Sequence, residues 1–211
     1  MFANSKILKN FIILEGLDGS GTTTQQTILK NFLQEKDIPY HLTSEPTTFS
    51  IGRLIRNILS TREHAEKSTL AYLFAADRNE HLHASGGMIE MCNQNRLVIC
   101  DRYLFSSLAY QGCDLGMEYV WELNKNFPLP EILFYIDIDP LQAENRYASR
   151  AELEIYEKKE TQKQVRANYN VILTELEKTP VQLYRIDATL PIEKISAEIW
   201  TKLSNLPIVK G

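Results

Sequence analysis

"FIILEGLDGSGTTTQ", residues 11–25, is the stretch that decides the fold. Phe11–Glu15 is a short apolar run stopped by glycine, the mark of a strand buried in a parallel sheet. From Thr22 onward, Ile28, Leu29, Phe32 and Leu33 recur at helical spacing, which predicts an amphipathic helix to about Glu35. Between strand and helix, Gly16, Gly19 and Gly21 approach the pattern G-x-x-x-x-G-K-[ST] of a phosphate-binding loop. Glycine permits positive φ, so backbone N–H groups can close around phosphate oxygens. The helix N-terminus adds partial positive charge. Thr23 stands where a hydroxyl is normally offered to Mg²⁺, but Thr22 occupies the lysine position.

Working outward, "PYHLTSEP" (39–46), "RLVICDRY" (96–103), "EILFYIDID" (131–139) and "VQLYRIDA" (181–188) read as four further strands. Helical patterns fill the gaps near Ile51–Leu59, Lys67–Cys92, Pro140–Glu177 (with breaks) and Pro191–Leu203. Alternation of strands and helices predicts an α/β fold on a parallel sheet. Ligands of such sheets sit beyond the carboxyl ends of the strands, where the glycines, Glu45, Asp101 and Asp187 fall.

The chain has 211 residues, 44% hydrophobic and 24% charged, the balance of one ordinary globular domain. A formal charge of -4 argues against a general nucleic-acid binder. Cys92, Cys100 and Cys113 fit neither a disulfide framework nor a zinc spacing, which suits a reduced, cytoplasmic setting. No signal-peptide pattern and no long apolar run predicts export or a membrane span. His81 and His83 are two apart on an expected helix and point to different sides, so they are a poor metal pair.

Asp101 ends a strand, as a magnesium-side carboxylate would. "FAADR" (74–78) places Phe74 and Arg78 four apart on one helical face. A ring can stack on a base while a guanidinium grips a phosphate with its planar fork. The charge run "EKKETQKQ" (157–164) reads as a solvated helix face.

These motifs, with "SEP", "YLFAADRNEH", "DRYLFSSLAYQG", "ENRYASR", "EIYE" and "YRIDATLPIEKI", occur in an order and spacing that resemble thymidylate kinase from Phe11 to Ile195. The resemblance implies a P-loop kinase three-layer sandwich with a five-stranded parallel sheet flanked by helices. It implies one domain over 1–211 with a lid near 146–160. ATP and Mg²⁺ are the implied donor and cofactor, dTMP the implied acceptor, and a homodimer the implied assembly. Nucleic acid and membrane are not implied partners. The donor phosphates would lie on Gly16, Asp18, Gly19, Ser20, Gly21, Thr22, Thr23 and Thr24, with Arg146, Asp187 and Ala188 on the adenine side. Phe74, Arg78, Ser107 and Gln111 correspond to thymine contacts, and Tyr110 to the ring that disfavours a ribose 2′-OH. Arg56 and Arg102 correspond to arginines on the acceptor phosphate. Thr23, Asp18 and Asp101 form the implied magnesium side. Asp18, Glu45, Arg102 and Arg150 are the implied catalytic groups.

The chain departs from the family at Thr22, at Thr47-Thr48 where bacterial relatives commonly have glycines, and at Ile155 where many place a lid arginine. Thr22 offers one neutral hydrogen bond and no charge, a deficit of about 3–4 kcal/mol by analogy with a lost oxyanion donor. Arg150, Lys158, Lys159 and Lys163 are candidate replacements, Arg150 foremost because its position matches the family. Three functions follow: a dTMP kinase, a deoxynucleotide kinase of altered substrate preference, or a nucleotide-binding protein with little kinase activity. The complete acceptor-side motif set favours the first.

Overall fold

The computed structural model describes residues 1–2, 5–147, 155–156 and 159–210, with only the backbone of 145, 147 and 159. The elements run β1 (Ile7–Gly16), α1 (Thr22–Glu35), β2 (Tyr40–Ser44), α2 (Ser50–Leu59), α3 (Lys67–His83), α4 (Met88–Asn93), β3 (Leu97–Asp101) and α5 (Leu104–Tyr110). They continue through α6 (Gly112–Leu115), α7 (Met117–Asn124), β4 (Leu129–Asp137), α8 (Pro140–Tyr147), α9 (Lys159–Leu176), β5 (Gln182–Asp187), α10 (Ile192–Leu203) and α11 (Pro207–Lys210).

The five strands form one sheet in the order β2-β3-β1-β4-β5, with every pairing parallel. Phe11, Ile12, Ile13 and Leu14 on the central strand are wholly buried, as an apolar run covered on both faces requires. Phe32 of α1 stacks on Trp200 of α10 at 5.2 Å, and Tyr169 of α9 packs on Tyr135 of β4 at 5.0 Å. Because the strands are parallel, their carboxyl ends share one edge, and the loops after β1, β2, β3 and β5 meet there.

Apart from small differences at strand ends and the helices α5 to α7, which the sequence reading left unassigned, two differences stand out. β1 begins at Ile7, four residues early, and its pairing with β4 shifts register between Leu8 and Ile12, where Asn10 takes a φ of 61°. The expected helix Lys67–Cys92 is two helices, broken at 84–87. Gly86 turns the chain at a φ of 74°, a conformation that ends a helix. Among the described residues, no helix is long and apolar enough to cross a membrane.

Candidate active site

The glycine loop is shaped by contact as well as by torsion. A Cβ on Gly16 would lie 2.5 Å from Ser20 Oγ and 2.7 Å from the Ile136 carbonyl oxygen, so only glycine closes this turn against β4. Gly21, at a φ of 99°, delivers the chain into α1. Thr22 is buried in the first turn and lines the cleft above it.

A single continuous cleft of about 810 Å³ runs from this loop across the ends of β2 and β3 to α3 and α5. Every residue assigned above from the resemblance lines it except three. Gly16 lies beneath the loop. Asp187 points its carboxylate at its own turn, accepting the Thr189 N–H at 2.8 Å; that side-chain and backbone bonding holds its pKa below the ordinary value. Arg150 lies outside the described residues, as do Lys158 and much of the expected lid.

On the magnesium side, Thr23 Oγ1 donates to Asp101 Oδ2 at 2.5 Å. Asp101 Oδ1 and Ser20 Oγ are buried with no protein partner. Unpaired buried oxygens beside a phosphate loop fit a hard, oxygen-seeking cation. Among the described residues no three His, Cys, Asp or Glu side chains form a metal cage.

Asp18, one of the acids expected on the magnesium side, is hydrogen-bonded within the cleft. Its Oδ1 accepts from Arg102 at 2.6 Å and its Oδ2 from Gln162 at 3.1 Å, while its N–H donates to the Tyr110 hydroxyl at 3.2 Å. Arg102 also donates to the Gly16 carbonyl at 3.0 Å and lies over the Tyr110 ring at 5.5 Å. Burial and then the Asp18 charge push the Tyr110 phenol well above its ordinary pKa, so it remains a neutral hydroxyl here. Arg56 reaches the cleft from α2 and donates to the Pro46 carbonyl.

Arg78 and Glu45 form the floor. Arg78 is wholly buried, 2.6 Å from Glu45 Oε2, and donates to Ser107 Oγ at 3.1 Å and to Asn124 Oδ1. Tyr103 and Phe127 rings flank its guanidinium at 5.1 and 5.8 Å. Glu45 is also 3.2 Å from His81 Nδ1, whose Nε2 lies 2.6 Å from Thr43 Oγ1. His81, unsuited to a metal, thus belongs to a buried polar chain behind the cleft. Gln111 Oε1 is buried without a partner, which leaves an acceptor for a ligand N–H.

On the donor side, Arg146 donates to the Gly19 carbonyl at 3.3 Å and the Ala188 carbonyl at 2.8 Å. It bridges the phosphate loop and the loop after β5.

Four contributors were not picked out from the sequence. Tyr156 lines the cleft and packs edge-on to Tyr110 at 5.6 Å; burial pushes its phenol up to about 12, against a hydrogen bond from Gln111. Gln162, within the run read as solvated, is wholly buried. It extends the apolar stripe of Val165, Tyr169, Ile172 and Leu176 by one turn, a spacing that could have revealed it. Glu160 and Lys163 of the same run are exposed, as expected. Asp77 accepts the Thr47 N–H at 2.7 Å and hydroxyl at 2.6 Å, anchoring the loop after β2. Glu15 is wholly buried at the end of β1, where an acid closing an apolar strand was the available signal.

A sequence model described as "Thymidylate kinase" matches residues 14–199. "Putative thymidylate kinase" of Treponema pallidum (strain Nichols) is 40% identical over 197 residues, covering 92% of this chain and 94% of the relative. "Probable thymidylate kinase" of Methanococcus aeolicus is 35% identical over 205 residues, 96% and 100% of the two chains. "Thymidylate kinase" of Clostridium novyi (strain NT) is 32% identical over 200 residues, 90% and 95%.

Proposed function

The chain belongs to the thymidylate kinase family, and from that premise we propose that it transfers the γ-phosphoryl group of ATP to dTMP, giving dTDP and ADP. The observation that carries this reading is the continuity of the cleft. The phosphate loop at one end and the Phe74–Arg78 face at the other open into the same space, so donor and acceptor can meet in line.

The loop amides and the α1 N-terminus receive the donor phosphates. Arg146 lies along the adenine side, between Gly19 and Ala188. Thr23, Asp18 and Asp101 would hold Mg²⁺, which would supply positive charge to neutralise the phosphates. Phe74 and the unpaired Gln111 oxygen receive the thymine base. Tyr110, under the sugar, selects deoxyribose. Arg102 and Arg56 bind the acceptor phosphate with charge-assisted bonds. Asp18 keeps the Arg102 guanidinium in place across the loop mouth. Phosphoryl transfer needs alignment and charge neutralisation more than covalent help. Thr22 supplies neither charge nor reach, so we assign the missing cation to Arg150 on a lid near 146–160 that closes over ATP. The protein is read as one cytoplasmic domain over 1–211 that acts as a homodimer.

Calorimetric titration tests the acceptor pocket. dTMP should bind more tightly than its ribose counterpart and more tightly than dGMP. Equal affinity for all three would remove the assignment.

A further inference from the structure

Arg102 is held in a conformation that its side chain does not favour. Its φ is 69°, in the left-handed region. A non-glycine residue there is strained and persists only where the surroundings over-determine it. The surroundings here are two consecutive residues of β1. The Arg102 N–H donates to the Leu14 carbonyl at 2.9 Å. The next N–H, of Tyr103, donates to Glu15 Oε1 at 2.9 Å. The strained residue is therefore clamped on both sides, once by backbone and once by the Glu15 side chain.

The Glu15 carboxylate is fully engaged. Oε1 also accepts the Ser106 N–H at 3.2 Å. Oε2 accepts the Ser106 hydroxyl at 2.7 Å and the Tyr169 hydroxyl at 2.7 Å. One wholly buried acid thus binds the end of β1 to the first turn of α5 and to α9. Burial raises its pKa, and the Arg102 charge followed by these hydrogen bonds opposes that rise. The left-handed turn at Arg102 brings its guanidinium back over the loop, onto the Gly16 carbonyl and Asp18. An extended residue at that point would continue the line of β3 and carry the guanidinium away.

We propose that Glu15 is a positioning residue for the acceptor phosphate: its carboxylate fixes the left-handed turn at Arg102 and so sets the aim of the guanidinium. This rests on reading Arg102 as a ligand of the acceptor phosphate. Glu15 does not line the cleft; of the groups it fixes, the Arg102 turn is the one assigned to the acceptor phosphate. It should therefore govern what the phosphate adds to binding and not what the nucleoside contributes.

The readout is the ratio of dTMP affinity to thymidine affinity, measured by calorimetry on the full chain. Glu15→Met keeps the approximate volume and removes both acceptor oxygens. It should lower the ratio by about tenfold or more, the scale of loss when a binding group is misplaced, with thymidine affinity nearly unchanged. Glu15→Gln keeps an oxygen for the Tyr103 and Ser106 N–H groups and places its NH₂ against two hydroxyls that can accept. It should restore most of the ratio. Tyr169→Phe, which removes one Oε2 donor from outside the cleft, gives a smaller loss of the same ratio and serves if Glu15→Met does not fold. Arg102→Ala is the control. If it collapses the ratio while neither Glu15→Met nor Tyr169→Phe lowers it, Glu15 is not a positioning residue. Equal losses for thymidine and dTMP would mark a purely structural role and also overturn the proposal. If Arg102→Ala leaves the ratio intact, the phosphate reading of Arg102 fails and the proposal falls with it.

Discussion

The buried pair of Arg78 and Glu45 allows a sharp prediction about what holds the acceptor half together. Arg78 is wholly buried, and its guanidinium lies 2.6 Å from Glu45. Arg78→Met keeps the length and packing of the side chain but deletes the charge. Among the described residues, Glu45 would then keep only His81 as a close polar side-chain partner, 3.2 Å away. Removing one member of a buried ion pair strands the other in low dielectric and costs about 3–5 kcal/mol. Loss of the donor to Ser107 and Asn124 acts in the same direction. With a urea m-value of about 3 kcal/mol/M for a chain of this size, the midpoint should fall by about 1–2 M. Glu45→Gln should cost a similar amount from the other side. Because each single variant strands the opposite member of the pair and the double variant strands neither, the double should cost less than the sum, with an interaction energy of up to about 3 kcal/mol. Urea unfolding followed by tryptophan fluorescence and circular dichroism measures all three. A loss below about 1 kcal/mol for Arg78→Met, or strict additivity, would refute the claim that this ion pair is the structural floor of the cleft.

Asp77→Ala removes the acceptor of two buried Thr47 donors, at about 1.5–3 kcal/mol for each bond to a charged group. The loss should appear as a lowered urea midpoint and weaker dTMP binding; Asp77→Asn, which keeps one acceptor oxygen, should lose less. Thr22→Lys should raise kcat by as much as a few hundredfold with little change in the KM for dTMP. Its gain should depend on whether Arg150→Ala is also present, because both cations would stabilise the same charge. Alkaline stability follows from the thiols. Burial and then Asp114 push Cys113 up to about 11, and burial and then Glu131 push Cys92 up to about 12, from an ordinary value of 9.0. A raised folded-state pKa means that their stabilising share is complete below pH about 9 and is lost as pH climbs through 11 to 12. The thermal midpoint should decline over that window, and less steeply in Cys113→Ala.

Much of this was legible because it is local. The strand ending in glycines, the helix from Thr22 and the five strand patterns depend on nearest-neighbour periodicity, and each appears with only its ends shifted, most of all the start of β1. The phosphate loop needed only spacing. The break at 84–87 was missed because helical periodicity on both sides outweighed Gly86 in the reading. Glu15, Gln162 and Asp77 were harder, since their meaning lies in partners far along the chain: Glu15 bonds to Tyr169, Gln162 to Asp18 and Asp77 to Thr47. A sequence shows that an acid ends an apolar strand; it does not show which donors converge on it. The left-handed φ of Arg102 is likewise set by contacts from another strand, not by its own side-chain type. The role of Thr47 is hidden in the same way, since its hydroxyl donates to the carboxylate of Asp77 on α3.

The most direct test of the central claim is product formation. The purified chain is incubated with ATP, Mg²⁺ and, in separate reactions, dTMP, dUMP or dGMP, and the nucleotides are separated by anion-exchange chromatography. dTDP and ADP should appear in equal amounts, with dTMP the preferred acceptor, and Arg102→Ala should suppress the reaction. Failure to form dTDP, while calorimetry shows both ATP and dTMP bound, would contradict that claim and leave a nucleotide-binding protein in a kinase fold.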